Sequence, residues 1–282
     1  MKRSRAPMIL ALSALWLPGQ FSLMAQLTVE HVAAQIYMLA GEGGNVAVSA
    51  GDDGIVIIDD KNKGRADKIK AALATLQKGE LRYILNTHHH GDHTGTNVVF
   101  GLDVPIIAHE NVRQRLSGGG LPKSAWPIIT FNDQLALHFN GEKMQARHFP
   151  GSHTDGDLIV TFTESNVVAM GDLYFSGLFP YVDLESGGSV AGLIVSIETI
   201  LAELPPDVWL IPGHGPLSRR DDLADYLDML KGTTGTVRKE MSRGRSLAQI
   251  RKKGLPKKWS GWAWNFITEE RWIGTVYDSY SE

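Results

Sequence analysis

The feature that most limits what this chain can become is the run Thr87-His88-His89-His90-Gly91-Asp92-His93, at the end of the apolar segment Leu81, Tyr83, Ile84, Leu85. Imidazoles suit zinc and other borderline ions, and a carboxylate adds a negatively charged oxygen ligand, so a His-x-His-x-Asp-His pattern reads first as a metal site. On an extended segment alternate side chains share a face, so His88 and His90 reach one ion while a turn at Gly91 swings Asp92 and His93 toward a second. An affinity tag sits at a terminus, and a solvated polyhistidine tract has no further donors. This tract is interior, and other donors accompany it. His153 lies in Pro150-Gly151-Ser152-His153-Thr154-Asp155-Gly156-Asp157, Asp172 in Met170-Gly171-Asp172-Leu173, and His214 in Pro212-Gly213-His214-Gly215. Each follows an apolar, strand-like segment and has glycine close by, as expected for a ligand on a tight loop at a strand end.

At these residues the sequence resembles the metallo-β-lactamase-fold superfamily of hydrolases. The resemblance covers about residues 30 to 220 and rests on separated elements in the expected order. It implies a first ion held by His88, His90 and His153, a second held by Asp92, His93 and His214, and Asp172 bridging the two. Asp59, which closes Gly54-Ile55-Val56-Ile57-Ile58-Asp59, matches a family acidic residue that supports the ligand loop from behind. A histidine at position 90 resembles the zinc hydrolases; the flavo-diiron oxidoreductase branch has a glutamate there. Asp172 resembles the bridging aspartate of the glyoxalase II, lactonase and alkylsulfatase branches. Many true β-lactamases of the fold use a cysteine there or leave the bridge empty, and this chain has no cysteine. The implied cofactors are two divalent metal ions, zinc first, with iron or manganese as alternatives for a carboxylate-rich set.

The amino terminus reads as a secretory signal peptide over residues 1–25: Lys2, Arg3 and Arg5, the apolar run Met8 to Leu17, then Pro18, Gly19 and small or neutral residues to Ala25. The apolar run is short for a bilayer span, so no stable membrane anchor is expected, and the absence of cysteine agrees with a periplasmic or secreted protein. Residues 26–282 read as one hydrolase domain with a helical extension from about 219. A net charge of −3 exerts no general pull on nucleic acid, so the partner expected is a small-molecule substrate. No pattern in the chain speaks to oligomeric state.

Three strands are expected first, Val29 to Tyr37, Asn45 to Ala50 and Gly54 to Asp59, then a helix from Arg65 to Lys78 and the strand Leu81 to Leu85. A strand at Val104 to Ala108 and a helix at Glu110 to Leu116 lead into the glycine-rich stretch Ser117 to Trp126, either a plain surface loop or a substrate flap. Strands over 134–139, 143–149, 157–163 and 166–170 follow, then a helix capped by Ser189 and the strand Val208 to Ile211. Two strand-rich halves with helices make an α+β, four-layer αββα sandwich of two mixed sheets, with the site at the edge where the sheets meet. The tail begins with an acidic helix, Asp221 to Leu230. Its basic segment, Arg238 to Lys258, reads as a solvated helix face, and Trp259, Trp262, Trp264 and Trp272 as a cover for the core or a subunit contact, unless they stand at the site mouth.

Two ions about 3.5 to 4 Å apart bring the pKa of a shared water from about 15.7 toward neutrality, and the resulting hydroxide attacks a carbonyl carbon. Asp92 orients that water or takes its proton. Gly-x-Ser-x-Gly, Ser-x-x-Lys and His-Glu-x-x-His are all missing, so covalent and single-zinc protease routes lack their parts. The expected activity is hydrolysis of a cyclic amide or ester, with β-lactam the leading substrate and lactone or thioester close behind. Export disfavours the cytosolic glutathione thioester of glyoxalase II. A phosphodiesterase or nuclease has only the basic tail in its favour. A metal-binding protein without turnover would want closed coordination, which three protein ligands and a shared bridge do not provide.

Overall fold

The computed structural model describes residues 27–281, so the expected signal peptide lies outside the described residues. The first sheet opens as an antiparallel meander of β1 (Thr28–Ala33), β2 (Ile36–Ala40), β3 (Val46–Gly51) and β4 (Gly54–Ile58). It continues in parallel through β5 (Leu81–Leu85), β6 (Ile106–His109) and β7 (Ile129–Phe131). The crossover from β4 to β5 carries α1 (Ala66–Ala74). After β5 come the short helices α2 (Gly91–Thr94) and α3 (Asn97–Phe100), and after β6 comes α4 (Glu110–Gly118).

The second sheet holds β8 (Gln134–Phe139), β9 (Glu142–His148), β10 (Leu158–Phe162), β11 (Val167–Phe175), β12 (Trp209–His214) and β13 (Ser218–Arg219). Its order is β13-β12-β11-β10-β9-β8, and only β11 and β12 run parallel, joined through α5 (Val190–Glu203). The chain ends in α6 (Arg220–Met241), α7 (Leu247–Lys253) and α8 (Glu269–Ser279).

Strand alternation builds the layers. On β4, Val56 and Ile58 point between the sheets toward Val160, Phe162 and Ile211, while Ile55 and Ile57 point outward to Ile69 and Leu73 of α1. On the far side, α5, α6 and α8 bury Ile197, Tyr226 and Trp272 with Leu173 of β11. The result is the expected four-layer αββα sandwich. Strands covered on both faces carry no polar alternation, which is why β4 and β11 are buried at every position.

Several boundaries differ from the sequence reading. The single strand expected over Val29 to Tyr37 is a hairpin, turning at Ala34 with φ 45°, a conformation that alanine does not advertise. β11 runs to Phe175 instead of ending at Met170, because its pairing with β12 resumes after a register shift at Gly171. Asp172 is therefore inside a strand, not on a loop after one. The tail's first helix continues to Met241, since Thr233, Thr234 and Val237 prolong its buried face beyond Leu230.

Trp272 ties the extension to the sandwich: it is fully buried, stacks on Phe179 at 6.0 Å and donates Nε1–H to Thr233 Oγ1 at 2.9 Å. Trp272→Ala should cost about 3–5 kcal/mol of stability, read as a lowered urea midpoint. A loss under about 1 kcal/mol would show that the extension does not share the core.

Candidate metal centre

Asp59 follows β4 in a left-handed conformation, φ 68°, fully buried. Its Oδ1 accepts from Thr87 N at 2.7 Å, and its Oδ2 accepts from Thr87 Oγ1 and His93 Nδ1, each at 2.8 Å. One carboxylate thus anchors both ends of the histidine run.

Four imidazoles each give one nitrogen to an acceptor, which leaves the other nitrogen aimed inward. His88 Nδ1 donates to Thr87 Oγ1 (3.0 Å), His93 Nδ1 to Asp59, His153 Nδ1 to Tyr181 O (2.7 Å), and His90 Nε2 to Asp183 Oδ2 (3.0 Å). His214 lies flat on Phe175, rings 5.0 Å apart, with Nε2 3.2 Å from Asp92 Oδ2.

These donors fall into two groups, His88, His90, His153 and Asp172 in one and Asp92, His93 and His214 in the other, with donor atoms of each group within 4.8 Å of one another. Asp172 faces both. Its Oδ2 is 3.5 Å from His153 Nε2 and 3.8 Å from His88 Nε2, while its Oδ1 is 3.1 Å from His93 Nε2 and 3.5 Å from His214 Nε2. Two ligand atoms at zinc bond lengths and a tetrahedral angle stand about 3.3 Å apart, so the spacing suits such an ion. Two buried atoms reinforce the fit: His88 Nε2 has no hydrogen-bond partner, and Asp172 Oδ1 is near His93 without the geometry of a hydrogen bond. A buried orphan of this kind costs about 1–3 kcal/mol, which a cation removes.

The electrostatics separate the groups. Burial, reinforced by neighbouring imidazoles, drives His88 far below its ordinary range; burial also takes His153 to about 4, so these rings offer neutral lone pairs. In the other group burial opposes charge, but Asp172, Asp59 and Asp92 outweigh it at His93, and Asp172 and Asp92 bring His214 up to about 9. Against its own burial, Asp172 is held well below the usual carboxylate range by His93 and His214. The pocket is built to hold positive charge.

Close approach needs glycine at two points: a Cβ on Gly44 would sit 2.2 Å from His93 Cε1, and one on Gly213 would sit 2.0 Å from Asp172 Oδ1. Lys61, buried and brought down to about 8 mainly by that burial, donates Nζ–H to Gly44 O at 2.8 Å and holds this loop over His93.

All seven predicted donors meet here. His89 belongs to neither donor group: its ring is 4.6 Å from that of His90 and its Nε2 3.5 Å from Ser186 Oγ, and it shares a third cluster of possible ligands with His90 and Asp183. His148 stacks on His109 at 3.7 Å and gives Nδ1–H to Asp157 O, away from the donor groups. Sequence reasoning missed Asp183 and the Tyr181 carbonyl, which orient His90 and His153 from distant parts of the chain. It also did not place Trp264, which lines the cleft.

That cleft, about 760 Å³, opens over Asp92, Asp172 and His214 and is walled by Phe175, Tyr181, Trp264 and Phe266. A groove of the same volume, walled by Leu73, Tyr83 and Phe100, contains none of the donors and lies apart from this chemistry. A third cavity, about 470 Å³, is bounded by Leu116, Gly119, Leu121 and Pro122 of the glycine-rich stretch, and shares Lys63 and Gly91 with the cleft.

Residues 35–214 match the model of the metallo-beta-lactamase superfamily. The hydroxyacylglutathione hydrolase of a Polaromonas species is 28% identical over 145 residues, 51% of this chain and 52% of that protein. The chain spans about half the length of the curated relatives it matches. Among solved structures, a metallo-beta-lactamase from Pontibacter korlensis aligns with TM-score 0.65 at 18% identity, covering 73% of this chain and 99% of that one. A sec-alkylsulfatase from a Pseudomonas species aligns with TM-score 0.70 at 16% identity, covering 90% of this chain and 50% of that one. At such identities the structures establish a shared fold.

Asp183→Asn keeps an oxygen for the Ser186 amide but replaces the carboxylate that orients His90. It should weaken metal binding by about 10–100-fold in a chelator-competition titration. Unchanged affinity would mean that His90 needs no such partner.

Proposed function

Because this chain belongs to the metallo-beta-lactamase superfamily, we propose that it is a dinuclear metal-dependent hydrolase of small-molecule acyl compounds, with a thioester or ester ahead of a β-lactam. The observation that carries the reading is Asp172, whose two carboxylate oxygens each face one donor group. Such a carboxylate suits two ions side by side, zinc first. Relatives named hydroxyacylglutathione hydrolases support the thioester class, and the β-lactam reading, which leads on the sequence alone, stands second. A periplasmic or secreted location, proposed from residues 1–25, favours an extracytoplasmic acyl compound over a glutathione one.

His88, His90 and His153 would hold one ion, Asp92, His93 and His214 the other, and Asp172 both. Ions in those places supply Lewis acidity toward a carbonyl oxygen and acidify water. The chain's own part in the proton transfer falls to Asp92. Its side chain is 30% exposed against 4% for Asp172, so of the two carboxylates it is the one open to the cleft. Burial tends to raise it, but in the metal-free chain His93 and His214 more than offset this and hold it below the usual carboxylate range, and Oδ2 is the proton acceptor in this reading. The water oxygen bonds to the carbonyl carbon, its proton goes to Asp92 Oδ2, and the bond to the leaving sulfur or oxygen breaks. That proton then passes to the leaving atom. Phe175, Tyr181 and Trp264 wall the cleft in which this exchange takes place.

The test is turnover of a thioester, a lactone and a chromogenic cephalosporin by the metal-loaded protein. The thioester or lactone should be cleaved faster than the cephalosporin, a chelator should stop it, and Asp92→Ala should lower kcat by about 10²–10⁴-fold. Turnover that survives either the chelator or Asp92→Ala would contradict the mechanism.

A further inference from the structure

The superfamily match ends at residue 214, yet one wall of the cleft comes from residues 264–271, between α7 and the first turn of α8. This strap is pinned to the loop after β11: Phe179 N donates to Trp262 O at 2.7 Å, and Trp264 Nε1 donates to Phe179 O at 2.9 Å. The pins hold the Trp264 ring 6.0 Å from that of His214 and 6.3 Å from that of Phe175. Phe266 stands edge-on to both Trp264 (5.5 Å) and Tyr181 (5.7 Å) and remains 48% exposed. A large aromatic left half in water, beside metal donors and inside a cleft, is the kind of surface a ligand covers.

Arg271 gives that surface a charge. Its guanidinium lies 4.3 Å from the Phe266 ring centre and 5.4 Å from that of Tyr181, and Nη1 donates to Phe266 O at 2.9 Å. It forms no salt bridge among the described residues, so most of its donor fork is open to the cleft, and Lys63, likewise without a salt bridge among them, lines the same cleft. A guanidinium fixed between rings, with donors to spare, matches a carboxylate attached to a flat apolar group.

We propose that residues 264–271 form a substrate subsite for an aromatic carboxylate, its ring against Trp264 and Phe266 and its carboxylate on Arg271. That it is a substrate subsite rests on the hydrolase reading; the binding itself does not.

The experiment uses the metal-loaded full chain and calorimetric titration with 2-naphthoate and with its neutral amide. Naphthoate should bind at least about tenfold more tightly than the amide, the difference that one charge-assisted hydrogen bond supplies. R271Q should remove that preference while leaving amide binding and metal content unchanged, R271K should restore part of it, and F266A should weaken both ligands. Equal naphthoate affinity in the wild type and R271Q would place the carboxylate on the metal ions and overturn the proposal, as would no binding to the wild type. Because binding needs no turnover, a chain that holds naphthoate through Arg271 yet hydrolyses nothing keeps the subsite and sinks only the hydrolase reading.

Discussion

The centre of this molecule depends on the balance between one carboxylate and the imidazoles on either side of it. Asp172 is 5% exposed, and an ionised group so buried is costly unless positive charge opposes it. Histidines from both sheets supply that opposition. His93 follows β5 of the first sheet and His214 ends β12 of the second, while His88 and His153 stay neutral beside them. Asp172 is where the two halves are electrically joined. The surrounding design keeps the rings from turning: Asp59, Thr87, Tyr181 and Asp183 each hold the outer nitrogen of a histidine, so the inner nitrogens are oriented toward one another before any ion arrives. Gly44 and Gly213 let backbone pass where a methyl group would strike His93 or Asp172.

Much of this was legible in the chain. The grouping of His88 with His90 and of Asp92 with His93 was legible as short-range spacing, although residues 87–89 bend instead of running extended and Gly91 opens a helix. The layered fold follows from apolar runs such as Ile55 to Ile58, whose alternate residues serve two different cores. What could not be read depends on distance or on a backbone state without a marker. Asp183 reaches His90 across 93 positions and has no motif of its own. The turn at Ala34 puts an ordinary residue at positive φ, and β11 continues past a glycine that looks like its end. Trp264 and Trp272 lie in one tryptophan-rich stretch, yet one lines the cleft and the other fills the core; only the docking of α8 separates the two fates.

The carboxy-terminal extension joins the sandwich core to the cleft. Trp272 and Ile273 bury one side of α8 against α6, and the strap before it carries Trp264 and Phe266 to the cleft. The extension is therefore held by a core it shares with the sandwich, while its exposed edge lies outside the region that the superfamily model matches. In the proposed reading the donor groups set the chemistry and this later segment sets recognition.

If Asp172 holds two cations between the sheets, the metal content of the chain will show it. Elemental analysis of the protein purified at neutral pH should find about two divalent ions per chain, and Asp172→Ala should bind at most one tightly. A wild-type chain that carries no stoichiometric metal after loading, or an Asp172→Ala chain that still carries two, would contradict the account.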